Sequence, residues 1–210
     1  MGVSSFSHLE GPRKLGGIIN PNIEMLISLR PNLVLVMQPT PIKIITEMER
    51  LGLEVFSFKE PRSLEEVGET VLTLGLISGR GKTAREKVRR FLERVRFQDK
   101  KRGKIFVGFP APPHWSACRE TFLDDLVRRA GWENICRARG WKILSGEEIF
   151  RARPRVILAP GRRDSDKFWV HKFPWKALPM ERIRVIMVEP NLLLRPTLRL
   201  AEVYERLVEE

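Results

Sequence analysis

The sequence predicts an α/β protein: two Rossmann-like lobes with mostly parallel sheets, joined by one long rigid α-helix. Three observations predict it. Short apolar runs alternate with amphipathic helical runs. A fifteen-residue stretch recurs 123 residues further on. A highly charged segment with one narrow apolar stripe separates the two copies.

The strand-like runs are LVLVM (33–37), LEVFSF (53–58), KIFVGF (104–109), RVILAP (155–160) and RVIMV (184–188). They are short and almost wholly apolar, as expected of parallel strands covered on both faces. Helical runs cover 22–30, 41–51, 63–77, 82–97, 119–130, 146–152 and 197–208.

The repeat aligns NIEMLISLRPNLVLV (22–36) with SGEEIFRARPRVILA (145–159). Asn22 matches Ser145, and both are good helix N-caps. Glu24 matches Glu147, and an acid in a first helical turn stabilises the helix by roughly 0.3–1 kcal/mol. Arg30-Pro31 matches Arg153-Pro154, where proline ends each helix. In the second copy a strand (104–109) and a helix (119–130) precede the shared motif. Their first-copy counterparts fall almost wholly before Met1, so the first lobe is expected to lack its opening strand and helix. Losing that layer would expose a sheet edge.

In the segment between the copies, Ala84, Val88, Phe91, Leu92 and Val95 recur at helical spacing. At 1.5 Å per residue, about 20 residues make a strut of roughly 30 Å. The expected division is therefore an incomplete lobe over 1–78, a linker helix over 79–103 and a second lobe over 104–210.

Composition narrows the function. With 42% hydrophobic residues the chain can bury a core, which excludes a disordered protein. The formal charge is +12, but residues 80–104 hold twelve Lys/Arg and three Asp/Glu, or +9 of it. That segment interleaves acids and carries no aromatic stacking set, so it reads as a solvated helix rich in ion pairs, as in heat-adapted proteins. No nucleic-acid partner is expected. No run of about 18 apolar residues is present to span a membrane, and the first residues show neither the basic nor the apolar region of a signal peptide.

Catalytic and metal motifs are weak. LGLISGRGKT (74–83) resembles a phosphate-binding loop, but position 76, where that loop needs glycine, is Leu76. Cys118 and Cys136 form no CxxC pair and do not cluster with the three histidines, so no metal site is expected; a disulfide between them is left open. His114 and Cys118 lie four residues apart in a Pro-rich loop, which fixes no base–nucleophile geometry. The aromatic residues say more. Trp115, Trp141 and Trp169 fall in predicted loops after or between strands of the second lobe. Ligands of open α/β sheets sit outside the strand C-termini, where those faces would suit a flat apolar or conjugated molecule. Trp132, after a helix end, reads as packing.

GGIINPNIEMLISLRPNLVLV, LEEVGETVLTLGLISGR, TFLDDLVRRAGWENI, LSGEEIFRARPRVIL and RPTLRLAEVYERL, in that order, resemble the helical-backbone substrate-binding proteins of ABC importers. The resemblance runs over nearly the whole chain. Members of that family carry cobalamin, haem or ferric siderophores, and the cobalamin-carrying branch is the most similar. They hold ligand between two α/β lobes joined by a long helix. The resemblance implies a binding protein rather than an enzyme, a monomer apart from its transporter, and an extracytoplasmic location. It implies no cofactor and a transported corrinoid or ferric chelate. It also implies that Glu24 and Glu147 dock on arginines of a membrane permease. By the same resemblance, the positions that sandwich a corrin in the cobalamin-carrying branch correspond to Phe6 and Trp141, which are aromatic, and to Ile18 and Met37, which are not, and Asn191 falls where that branch has an acid that contacts the ligand. The competing reading is an enzyme or metallocluster-scaffold subunit on a similar two-lobe frame, and it needs a titratable or thiolate constellation that the sequence does not show.

Overall fold

The computed structural model describes residues 2–3, 13–17, 19–162 and 164–209. The chain divides into two compact units, 1–60 and 61–210.

In the first unit, β1 (Gly2–Val3) and β2 (Arg13–Lys14) form a short parallel pair. Then come α1 (Ile23–Ser28), β3 (Val34–Met37), α2 (Ile42–Arg50) and β4 (Val55–Phe58). Asn22 starts α1 by accepting the Met25 N–H at 2.9 Å. β3 and β4 pair in parallel, with Val34 opposite Val55 and Met37 opposite Phe58. Leu26, Val34 and Met48 form the small core. Leu35 and its ladder partner Phe56 stay 44% and 40% exposed, so one face of this pair is open to solvent.

The second unit opens with α3 (Leu64–Ile77) and α4 (Gly81–Arg94). Two glycines of α3 let these helices close on each other. A Cβ on Gly75 would lie 2.3 Å from the Ala84 Cβ, and one on Gly68 would lie 2.9 Å from Val88 Cγ1. The stripe Ala84, Val88, Phe91 and Val95 is buried, as its spacing implies. The helix is shorter than the expected 79–103, however. It has 14 residues, or about 21 Å. It lies within the second unit, and the boundary between units falls at 60/61 rather than after 78. The helix stops because the residues beyond it have tertiary partners. The Val95 carbonyl accepts from Arg129 Nη1 at 3.2 Å, and the Phe97 ring lies 4.6 Å beneath the same guanidinium.

The rest of the unit runs β5 (Gly103–Val107), β6 (His114–Ala117), α5 (Phe122–Arg129), β7 (Trp132–Asn134), β8 (Trp141–Leu144), α6 (Gly146–Ala152) and β9 (Val156–Pro160). Three 3₁₀ turns (Asp164–His171, Trp175–Ala177, Met180–Arg182) lead to β10 (Arg184–Val188), α7 (Pro190–Leu193) and α8 (Leu200–Val208). The main sheet is parallel, in the order β10-β9-β5-β7. Its alternating residues feed two cores. Ile105, Val107 and Leu158 join one with α3, α4, α5 and α8, while Phe106, Ile157 and Ala159 join the other with Ile149 of α6. Both faces are therefore covered, as a parallel sheet requires. Trp132 packs here, donating Nε1–H to the Leu207 carbonyl at 3.0 Å.

A buried ionic cluster ties the helices together. Asp125 accepts from Arg129 Nε and from the Leu64 N–H at the start of α3, both at 2.9 Å. Arg129 also bonds Glu65. Burial, the largest single influence, would raise the Glu65 pKa, but the hydrogen bond and charge of Arg129, with hydrogen bonds from the Glu65 backbone and Ser63, together outweigh it and hold that carboxyl below its ordinary value. Truncating one partner of a buried pair strands the other charge, at a cost of about 3–5 kcal/mol. Arg129→Ala should lower unfolding stability by that amount, read from the urea midpoint. A loss under ~1 kcal/mol would show that Asp125 finds solvent or another partner.

Candidate functional site

In the second unit the C-terminal end of β5 leads, through Gly108, to Phe109. Gly108 has φ 140°, and a Cβ there would strike the Trp115 carbonyl at 2.1 Å. That close approach lets the Phe109 N–H donate to the Trp115 carbonyl at 2.7 Å. Trp115 lies on β6, which pairs antiparallel with β8. The register sets Trp115 opposite Ile143 and Ala117 opposite Trp141. Cross-strand partners share a face, so Trp115, Ile143 and Trp141 lie on one side of this ribbon. Trp141 is half-buried and its ring sits 6.2 Å from that of Phe109. Phe109, Trp115 and Ile143 are 39%, 41% and 54% exposed. The result is a solvent-facing apolar surface at the C-terminal end of the sheet, where open α/β folds receive ligands.

This ribbon is held from beneath. Cys118 and Cys136, both buried, form a disulfide with Cα atoms 4.9 Å apart. Asn134 Nδ2 donates to the Ala117 carbonyl at 2.8 Å and to Asp124 at 2.9 Å. His114 is buried, with Nδ1 2.8 Å from the Pro110 carbonyl, to which it donates. With Cys118 in a disulfide, neither the nucleophile nor the cluster-ligand reading of that cysteine has a thiolate to use. Among the described residues no group of three or more His, Cys, Asp or Glu could hold a metal, and no helix is long and apolar enough to cross a membrane.

The expected ligand residues divide. Trp115 and Trp141 come together on the ribbon. Met37 ends β3 and is half-buried. Asn191 lies just beyond β10, on α7, so both stand at strand C-termini of their own units. Trp169 does not belong to the set. It is 2% exposed and packs edge-on against Trp175, with ring centroids 5.3 Å apart. The 3₁₀ turn that carries it presses an indole, with its large apolar area, into the core. Phe6 and Ile18 lie outside the described residues. Nothing in their sequence context marks Phe109 and Ile143; their role follows from the β6–β8 register.

Asn191 is positioned by Glu189, which accepts from Asn191 Nδ2 at 2.8 Å and caps α7 at Leu192 N at 3.0 Å. Arg162 donates to the same carboxylate at 2.6 Å. That bond, with lesser help from Asn191, holds the Glu189 pKa at about 2 against an ordinary 4.5.

Glu24 and Glu147 occupy the second helical position of α1 and α6, and both are exposed. Each helix is capped by the residue the repeat aligns, Asn22 or Ser145, and Ser145 forms a full capping box with Glu148. Each is followed by an arginine at positive φ, Arg30 at 45° and Arg153 at 49°. Glu147 reaches Arg151 at 3.6 Å with both side chains open to water, a pairing worth about 0–1 kcal/mol.

A family model described as periplasmic binding protein matches residues 8–173. The chain belongs to that family. An uncharacterised ABC transporter substrate-binding lipoprotein, YvrC of Bacillus subtilis, is 23% identical over 92% of this chain and 66% of its own. A cobalamin-binding protein of Halobacterium salinarum is 26% identical over 65% of this chain and 40% of its own. The chain thus spans about two thirds and two fifths of the lengths of these two relatives. A periplasmic haem-binding protein of Pseudomonas aeruginosa shares the fold, with a TM-score of 0.80 at 21% identity over 95% of this chain and 78% of that one. The periplasmic binding protein family is one of substrate-binding transport proteins rather than of enzymes.

The Glu189 pair carries a pH signature. A carboxylate with a depressed folded pKa stabilises the fold above its unfolded pKa, and that contribution is lost as pH falls through the folded value. Stability should therefore decline between pH 4.5 and about 2, and Glu189→Gln should flatten that part of a plot of melting temperature against pH. Superimposable curves would show that the pair contributes nothing.

Proposed function

We propose that this chain is the solute-binding component of an ABC importer, that it takes up a corrinoid or another large metal chelate outside the cytoplasm, and that it delivers it to a membrane permease. The observation that carries the reading is the exposed surface of Phe109, Trp115 and Ile143 beside Trp141, in a chain of this family. A flat macrocycle buries its apolar face well against such residues, whereas a sugar or amino acid would need converging polar groups. The relative that binds cobalamin and the disulfide, which persists in oxidising compartments, both support it. A ferric siderophore or haem is the alternative cargo within the same reading.

Visible-absorption titration with cobalamin, haemin and a ferric hydroxamate tests the cargo. One of them should bind, and Trp115→Ala should weaken it about tenfold, or ~1.4 kcal/mol, as expected of a buried aromatic anchor. Binding of none of the three by this chain or by an upstream-extended version would remove the reading's main support.

Docking rests on Glu24 and Glu147, two exposed acids in the same frame of cap, left-handed arginine and proline. Together they present two charges that a permease bearing arginines could read at once, which favours orientation and encounter rate more than affinity. Glu24→Ala with Glu147→Ala should leave ligand affinity unchanged and cut permease-dependent uptake at least tenfold. Normal uptake by the double variant would eliminate the docking role.

A further inference from the structure

A cavity lies elsewhere in the unit that carries the aromatic surface. It has a volume of about 400 Å³, within the range of small-molecule sites, and Arg153, Arg155 and Arg182 line it with Phe150, Leu178 and Ile183. Arg153 and Arg155 belong to the segment that enters β9, and Arg182 to the one that enters β10. These strands are parallel neighbours, with Arg184 opposite Val156, so the cavity sits at the N-terminal edge of the sheet. The Phe109–Trp115 surface sits at the C-terminal edge. The two cannot be one site.

The charge arrangement asks for a partner. The three guanidiniums make no ion pair or side-chain hydrogen bond among the described residues. Glu181, the adjacent acid in sequence, is not among the lining residues. The Arg155 stem lies against Gly103, where a Cβ would come within 2.9 Å of Arg155 Cδ. Arg153, Arg155 and Arg182 are exposed, and three like charges at the mouth of one cavity sum to a positive potential there that attracts anions. Guanidinium forks match carboxylate and phosphate oxygens in pairs, while Phe150, Leu178 and Ile183 supply an apolar floor.

We propose that this cavity binds a small organic oxyanion, a carboxylate or phosphate ester that carries an apolar group. The arginines take the anion and the floor takes the apolar group. This does not depend on what cargo the aromatic surface carries.

Calorimetric titration with octyl phosphate and octanoate tests it, with 1-octanol and inorganic phosphate as partial mimics. Octyl phosphate should bind at least tenfold more tightly than either partial mimic. The triple variant Arg153→Gln, Arg155→Gln, Arg182→Gln should weaken it tenfold or more. So should Ala177→Trp, which fills the cavity and leaves the arginines. A charge-matched control on α4, Arg85→Gln, Lys87→Gln, Arg90→Gln, should bind normally. Vesicles of phosphatidylglycerol distinguish the source. Co-sedimentation lost in the cavity variant but kept in the control places the anion on a lipid headgroup, and equal co-sedimentation places it on a soluble ligand. The proposal is overturned if neither octyl phosphate nor octanoate binds. It is equally overturned if the cavity and control variants bind alike, or if 1-octanol binds as tightly as octyl phosphate.

Discussion

The pairing of Arg129 with Asp125 is the constraint on which the second unit depends. Both side chains are buried, so losing either partner is costly, and Glu65 and Arg128 extend the pair into a cluster. From this pair the bonds spread outward. Asp125 receives the first N–H of α3, and Arg129 reaches the end of α4 at the Val95 carbonyl. The neighbouring Asp124 receives Asn134, which in turn holds the Ala117 carbonyl of β6. Asn134 Oδ1 also accepts the Cys136 N–H at 3.1 Å, next to the disulfide. A continuous set of satisfied polar contacts thus runs from the helical layer to the underside of the aromatic ribbon. Geometry at Trp115 is inherited from charges it never touches.

The ribbon needs such support because its outer face has little of its own. Trp115 and Ile143 are partly in water, which gives them no packing to fix their positions. A surface that must accept an apolar ligand cannot also be stabilised by filling itself. The Ala117 carbonyl bond, the Gly108 contact and the disulfide order this backbone without covering the face it presents. Pre-ordering of this kind reduces the conformational entropy that binding would otherwise have to remove.

Period and punctuation made most of the fold legible. All seven helical runs and all five strand runs read from the sequence correspond to elements, because their apolar spacing and caps agree with their burial. What escaped depends on tertiary partners. β6 and β8 are four residues each, and HWSA and WKIL mix polar and apolar types, so their pairing has no local signature. The apolar stripe through Val95 does not reveal that Arg129 will claim the next turn of α4. Trp115 and Trp169 are the same residue in similar contexts, yet one faces water and the other the core. Indole favours both places for the same physical reason, and only the path of the chain decides between them. A separation of 18 residues leaves the two cysteines equally free to pair or not.

The repeat reaches further than its helix caps. Arg30 and Arg153 both take a left-handed conformation that costs an ordinary side chain roughly 1–2 kcal/mol and that glycine would adopt freely. Both precede proline and both close the helix that carries an exposed glutamate in its first turn. Helix electrostatics explains one such acid locally, since any carboxylate there meets the positive end of the helix. It does not explain why the cap, the acid, the left-handed arginine and the proline travel together into two separately packed units. Glu24 stands on a helix with a small core of three buried residues, and Glu147 on one whose Ile149 packs into a larger core on one face of the main parallel sheet. Packing demands differ between those settings, yet the exposed cap, acid and arginine agree as well as the buried Leu26 and Ile149 beneath them do. Agreement that extends to the solvent side, where packing imposes none, is what a surface read by a common partner would impose, and it is the physical ground for treating the two acids as a pair.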